Sequence, residues 1–255
     1  MPIPTGAEPS PAHLARTQVW WWELPERVDP ADAALLGPAE RARLRRFRSE
    51  RAAASFTRTR AAARRALGTL LGVSAAEVVL GREQCPGCGD PCHGPPRLDH
   101  PEVPLAISLS RTTGLGLLAV SEGARVGVDV EALRAVRGDA LARSTLTPRE
   151  RAVVLRVPAG PEHDRVLLRA WTRKEAVVKA VGTGLSGAVP GRLETHADRP
   201  GPVLIDHLHQ GAVTTWSVAG LNLGDGYVAA VATPRAAVPS TVDIHPCTYR
   251  DEDPS

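Results

Sequence analysis

A strand, then helices, then strands: this order of elements reads twice along the 255 residues, split near residue 123, and predicts a mixed helix-and-strand protein of two halves. Three observations carry the prediction. Short runs of alternating apolar residues mark strands, longer stretches with apolar residues at helical spacing mark helices, and Gly- or Pro-rich breaks separate them. The length suffices for one large domain or two small ones with a real core.

Val19 to Leu24, with three successive tryptophans, reads as the first strand. Gly37 to Phe47 follows as a helix opened by Pro38, and a longer helix runs from about Glu50 to Leu71 and stops at Gly72. Phe56, Ala63, Leu67, Leu70 and Leu71 form its apolar stripe, leaving Arg58, Arg60, Arg64 and Arg65 on other faces. Residues 81–104, rich in Gly, Pro and Cys, read as a loop. Strands are expected at Ala106 to Ser110, Gly114 to Ser121 and Val126 to Glu131, then helices at Pro148 to Arg156 and Glu162 to Val181. Strands near 203–205, 213–219 and 227–232 close the series. No sequence repeat accompanies the repeated order. Residues 1–16 and 234–255 are expected to be poorly ordered ends, which leaves 17–122 and 123–233 as the halves, with a ligand site between them.

Apolar content of 43% and charged content of 23% are those of a globular protein. Aromatic residues are few, so Leu, Val and Ala must supply most of the packing. A net charge of +3 is no nucleic-acid signature, although arginines are dense between Arg41 and Arg65. Residues 81–100 hold no aromatic ring beyond two histidines, which argues against a zinc-knuckle binder that stacks bases. No apolar run approaches a bilayer span, and the first residues lack the charged-then-apolar pattern of a secretory signal. A cytoplasmic chain with reduced thiols and no membrane partner is expected.

Only two of the 31 Lys and Arg residues are lysine, Lys174 and Lys179, and both lie in Trp171-Thr-Arg-Lys-Glu-Ala-Val-Val-Lys179. Arginine stays protonated in proteins, whereas a lysine can release its proton when its surroundings lower the pKa. Positions that keep lysine in so arginine-rich a chain point to chemistry. Glu175 and Lys179 are one helical turn apart on one face; alone, the two would be an ordinary surface ion pair. In Arg125-Val-Gly-Val-Asp-Val-Glu131, the valines share one face of a strand and Gly127, Asp129 and Glu131 the other. Two carboxylates at i and i+2 beside a glycine suit a hard cation that also binds substrate phosphates, such as Mg2+. Alone, this strand reads sooner as amphipathic with a wet outer face than as a metal site. Together the segments supply three carboxylates and two lysines, a set fit for transfer at a diphosphate.

The pair, Val126-Gly-Val-Asp-Val-Glu131 and then Trp171 to Lys179 about forty residues on, resembles the signature of the 4'-phosphopantetheinyl transferases. The length resembles the monomeric two-half type that activates carrier proteins of peptide and polyketide synthases in secondary metabolism. The resemblance implies an α+β fold of two pseudo-duplicated halves, with coenzyme A in the cleft between them. It implies Mg2+, with Mn2+ as a substitute, held by Asp129, Glu131 and Glu175, with Glu150 approaching the same site. Glu175, or a water on the metal, would deprotonate a carrier serine, which would attack the β-phosphate and release 3',5'-ADP. Lys179 would neutralise or protonate the departing phosphate, and Lys174 would grip the diphosphate. Arg43, Arg58, Arg60, Ser108 and Arg111, with the two lysines, would bind coenzyme A. Acidic carrier domains are the implied protein partner, docking near Leu146 to Arg156.

Three positions depart from the family pattern. Ser108-Leu109-Ser110-Arg111 stands where relatives often have Ser-His-Ser, Gly94-Pro95-Pro96 where many have Gly-Lys-Pro, and Ser55 where an arginine is common. The missing groups bind phosphates or nucleotide in relatives, so the 3'-phosphate must be held otherwise. Arg43, Arg58, Arg60, Arg97 and Arg111 are the available substitutes, and Arg111 flanks the altered segment. The alternative reading is a specialised or inactive homologue that binds carriers without modifying them. Separately, Cys85, Cys88, Cys92 and His93 offer four zinc-type ligands within nine residues. Adjacent Cys92 and His93 fit a tetrahedron poorly, so a reduced thiol cluster is expected over bound zinc, and Cys247 is expected to be a free thiol.

Overall fold

The computed structural model describes residues 17–90, 94–136, 144–184, 190–209, 211–235 and 242–247. In chain order the first half holds β1 (Gln18–Glu23), α1 (Pro30–Ala34), α2 (Pro38–Leu44), α3 (Glu50–Leu71), β2 (Val79–Arg82), β3 (Pro96–His100), β4 (Leu105–Arg111) and β5 (Leu115–Glu122). The second holds β6 (Gly127–Ala132), α4 (Pro148–Arg156), α5 (Pro161–Val181), β7 (Val203–His209), β8 (Ala212–Leu221) and β9 (Tyr227–Pro234), followed by β10 (Asp243–Pro246).

The strands form a six-stranded sheet, β10-β1-β5-β4-β3-β2, and a four-stranded sheet, β6-β9-β8-β7. Both halves are wired alike: a first strand, a long helix, then a meander whose last strand returns to pair antiparallel with the first. The protein is α+β, with the duplication expressed in topology. The long helices obey their local signals. Ser49 accepts the N–H of Ala52 at the start of α3, and Gly72 ends that helix with φ +69°. Gly182 ends α5 in the same left-handed conformation, φ +88°.

Three apolar clusters hold the layers together. Ala62, Ala63, Ala66 and Leu67 of α3 pack on Leu98, Ile107, Leu118 and Val120 of the large sheet. Ala176, Val177 and Ala180 of α5 pack on Ile205, Trp216, Val218 and Ala230 of the small sheet. Between the sheets, Leu115, Leu117 and Ala119 of β5 meet Val126, Val128 and Val130 and residues of β9. β5 is therefore buried on both faces and nearly all apolar, and β6 sends its valines to the other sheet and its carboxylates towards α5. Asp129 is 5% exposed, so this face is not a wet one.

Two expectations are corrected. Residues 81–104 are not all loop: Gly81 and Arg82 end β2, and β3 lies at Pro96–His100. The segment from 234 on is not all disordered: Asp243–Pro246 pairs in parallel with Gln18–Trp21 of β1, and the N–H of Cys247 bonds to the Trp21 carbonyl. The edge of the large sheet supplies backbone partners that composition does not show. Among the described residues, no helix is long and apolar enough to cross a membrane.

Candidate active site

The site lies where β6 is pressed against α5. A Cβ on Gly127 would stand 1.9 Å from the carbonyl oxygen of Ala176, so only glycine permits this approach. The contact brings Asp129 and Glu131 beside Glu175 and Lys179, one turn apart on α5. Lys179 donates to Asp129 Oδ1 at 2.6 Å, to Ser110 Oγ at 3.0 Å and to the Val128 carbonyl at 3.2 Å. Ser110 donates to Asp129 Oδ1 at 2.8 Å. Glu131 accepts the indole N–H of Trp171 at 3.1 Å and lies 3.5 Å from the Thr112 hydroxyl.

Crowding three carboxylates into a half-buried space disfavours their ionised forms. Burial pushes Glu175 up to about 7, the charges of Asp129 and Glu131 add to the rise, and Lys179 opposes it. Glu131 is raised as well, by burial and then by Asp129, with the Trp171 hydrogen bond, Arg134 and Lys179 acting against the rise. Two buried oxygens, Asp129 Oδ2 and Glu175 Oε1, have no hydrogen-bond partner in the fold. Unsatisfied carboxylate oxygens beside one another are where a cation would be expected.

Asp129, Glu131 and Lys179 line a cavity of about 360 Å³ together with Arg43, Arg60, Arg82 and Arg111. Arg43 stacks over the Phe56 ring at 5.1 Å, and Arg60 is paired with Glu40. Arg111 is held below the usual arginine value, first by desolvation and then by the like charges of Arg43 and Arg60. Cations and carboxylates lining one cavity suit a ligand that is polyanionic and metal-bound.

Residues 125–232, which contain β6, α5 and the rest of the small sheet, match the family model of the 4'-phosphopantetheinyl transferase superfamily. The chain is also 29% identical over 233 residues to the 4'-phosphopantetheinyl transferase HetI of Nostoc sp. (strain PCC 7120), an alignment spanning 88% of this chain and 92% of the relative.

Several residues expected at the site stand elsewhere. Glu150 is fully buried and accepts from Thr195 N at 2.9 Å and Thr147 N at 2.8 Å, closing the capping box of α4. Lys174, 1% exposed, pairs with Glu150 at 2.7 Å and donates to the Leu193 carbonyl. Burial lowers the Lys174 ammonium, while Glu150 and Glu194 work to raise it. The two side chains satisfy each other beneath α5, so neither the metal role expected for Glu150 nor the phosphate grip expected for Lys174 fits its placement. On α5, Lys174 precedes the Glu175 and Lys179 face by one residue, a rotation that sends it into the core.

Arg58 pairs with Asp32 at 2.6 Å and Asp29 at 3.4 Å, and lines a separate cavity with Trp21, Trp22 and Cys247. Ser108 is buried and accepts the N–H of Val128 at 3.1 Å, so it joins the sheets and does not line the cavity. Arg97, also considered for the 3'-phosphate, is paired with Asp99 at 2.6 Å on β3. Arg82 was missed; it sits at the end of an unread strand, and in a chain whose basic residues are nearly all arginine its identity carries no signal. Trp171 touches the site through its hydrogen bond to Glu131. In the Cys segment, Cys85 is buried and Cys88 exposed, neither in a disulfide, while Cys92 and His93 lie outside the described residues. Cys247 is a free thiol packed against the large-sheet core.

Proposed function

We propose that this protein transfers the 4'-phosphopantetheine arm of coenzyme A to a serine of an acyl or peptidyl carrier protein, with a divalent metal, releasing 3',5'-ADP. The observation that carries the reading is one cavity lined by Asp129, Glu131 and Lys179 together with Arg43, Arg60, Arg82 and Arg111, with Glu175 close behind Asp129 and Glu131. The first set addresses a metal-bound diphosphate, the second the anionic oxygens of the nucleotide end. The match of residues 125–232 to the superfamily's model and the likeness to HetI agree with it.

The donor set fits Mg2+. Asp129 and Glu131 would hold the ion with Glu175 beside them, and the unpartnered Asp129 Oδ2 and Glu175 Oε1 supply the open valences. Among the described residues no three His, Cys, Asp or Glu side chains are placed to hold an ion by themselves. Mg2+ needs no such cage, because it keeps waters and takes phosphate oxygens of its substrate. When bound it would neutralise the diphosphate and polarise the phosphorus under attack.

The chain's own groups do the rest. Glu175, its carboxyl raised above the ordinary range by burial in the metal-free fold, is the group beside the ion to take the serine proton. The serine oxygen forms its bond to the β-phosphorus as the bond from that phosphorus to the bridging oxygen breaks. Lys179 stands where it can offset the charge that builds on the departing 3',5'-ADP. The arginines lining the cavity would bind the donor in place of the histidine, lysine and arginine common in relatives; Arg111 flanks the altered segment, and Arg82, which donates to the Gly94 carbonyl at 2.8 Å, lines the same cavity.

The test is release of 3',5'-ADP from coenzyme A, followed by chromatography, with an apo carrier protein and Mg2+. R111A and R82A should raise the KM for coenzyme A far more than that for dephospho-coenzyme A. No 3',5'-ADP with any of several carriers would contradict the reading and favour a carrier-binding homologue without activity.

A further inference from the structure

β4 and β6 lie side by side yet belong to different sheets. The edge of β6 that points away from β9 should present unpaired N–H groups at Val128, Val130 and Ala132. Side chains of the β4 segment fill them in a fixed register of twenty: Ser108 Oγ accepts from Val128 N, Ser110 Oγ from Val130 N and Thr112 Oγ1 from Ala132 N, at 3.1–3.3 Å. A ladder of hydroxyls at every second residue thus replaces a ladder of carbonyls, and it is the seam along which the two halves meet. Unlike a carbonyl, each hydroxyl keeps one proton to donate.

At Ser110 that proton has one destination. The oxygen already accepts from Val130 N and from Lys179 Nζ, so both lone pairs are used and the O–H points to Asp129 Oδ1 at 2.8 Å. Asp129 Oδ1 is then filled by Ser110 and Lys179, and Oδ2 is left buried without a partner. We infer that Ser110 is a positioning residue for Asp129: the seam hydroxyl fixes the carboxylate so that Oδ2 faces the divalent ion. Thr112 repeats the arrangement one step along, more weakly, towards Glu131. Ser108 caps Val128 in the same way but has no carboxylate partner among the described residues, so the ladder holds both a structural rung and a metal-orienting one.

This rests on the metal-dependent reading above, and the experiment separates the two. Mn2+ binding to the full-length chain, with and without coenzyme A, is measured by the electron paramagnetic resonance of free Mn2+, with no turnover involved. S110A should weaken Mn2+ binding about tenfold, as loss of an outer-shell partner commonly does. S110T, which keeps the hydroxyl, should restore it. S108A, which loses the same kind of backbone cap, should lower the melting temperature comparably while leaving Mn2+ affinity unchanged. Should S110A fail to fold, S110C, similar in shape but a poor donor, is read in its place. Wild-type Mn2+ affinity in the variant that lacks the donor, or an equal loss in S108A, overturns the inference. Absence of Mn2+ binding by the unsubstituted protein overturns the metal reading itself and the inference with it.

Discussion

Glu175 occupies a place that disfavours its own charge, between Asp129, Glu131 and the interior. Its folded pKa, about 7, lies above the ordinary carboxylate value of 4.5. The group therefore favours the folded state most when protonated, and its contribution falls as pH rises from the ordinary carboxylate range to about 7. In chelator, E175Q should stabilise the protein at pH 8 by on the order of 1–3 kcal/mol, and the gain should vanish below pH 4.5. Transfer should be lost in the same variant. Urea unfolding at the two pH values checks the first statement; equal stability of the two proteins at pH 8 would place Glu175 in a wetter setting than the one described. The buried Glu150 and Lys174 pair behaves oppositely. E150A strands an ammonium in the core and should cost about 3–5 kcal/mol, whereas E150M with K174M removes the charge but leaves the Thr147 and Thr195 N–H groups without their acceptor and should recover only part of that loss. Transfer per folded molecule should survive in the double variant, and its abolition would return Lys174 to the catalytic machinery.

At the scale of elements, the site depends on how closely β6 approaches α5. G127A should destabilise the protein by about 3 kcal/mol and depress transfer, because its methyl group meets the helix backbone, which cannot swing aside as a side chain would. A melting temperature equal to wild type would refute that contact. Both elements were legible in the sequence: the period of two in Val126, Val128 and Val130 and the i, i+4 spacing of Glu175 and Lys179 gave their type and their functional faces. What lay beyond reach was rotation and pairing. Lys174 and Glu175 are neighbours in sequence, and only packing against the α4 cap turns one inward and leaves the other at the site. The seam formed by Ser108, Ser110 and Thr112 was not legible, because their partners lie twenty residues on and in another sheet. β2 and β3, short and broken by Gly81 and Pro96, lacked the alternation that marks a strand.

The whole molecule is two like-wired halves whose joint is also the site. The repeat was visible in element order, but not the return of the C-terminal segment to the N-terminal sheet. Val242 packs between the sheets, His245 lies 5.4 Å from the Trp20 ring, and Cys247 rests on the large-sheet core. Removing residues 242–255 should lower the melting temperature and leave β1 as an open edge prone to association, seen by light scattering; an unaltered melting curve would show that β10 adds nothing. The central claim, that the cleft joins phosphopantetheine to a carrier serine, is tested most directly by intact-mass spectrometry of an apo carrier incubated with the protein, Mg2+ and coenzyme A. The account predicts a gain of about 340 Da, the mass of the arm in a serine phosphodiester, present with wild type and absent with E175Q. An unchanged carrier mass across several carriers, with the protein folded and Mg2+ bound, would contradict it.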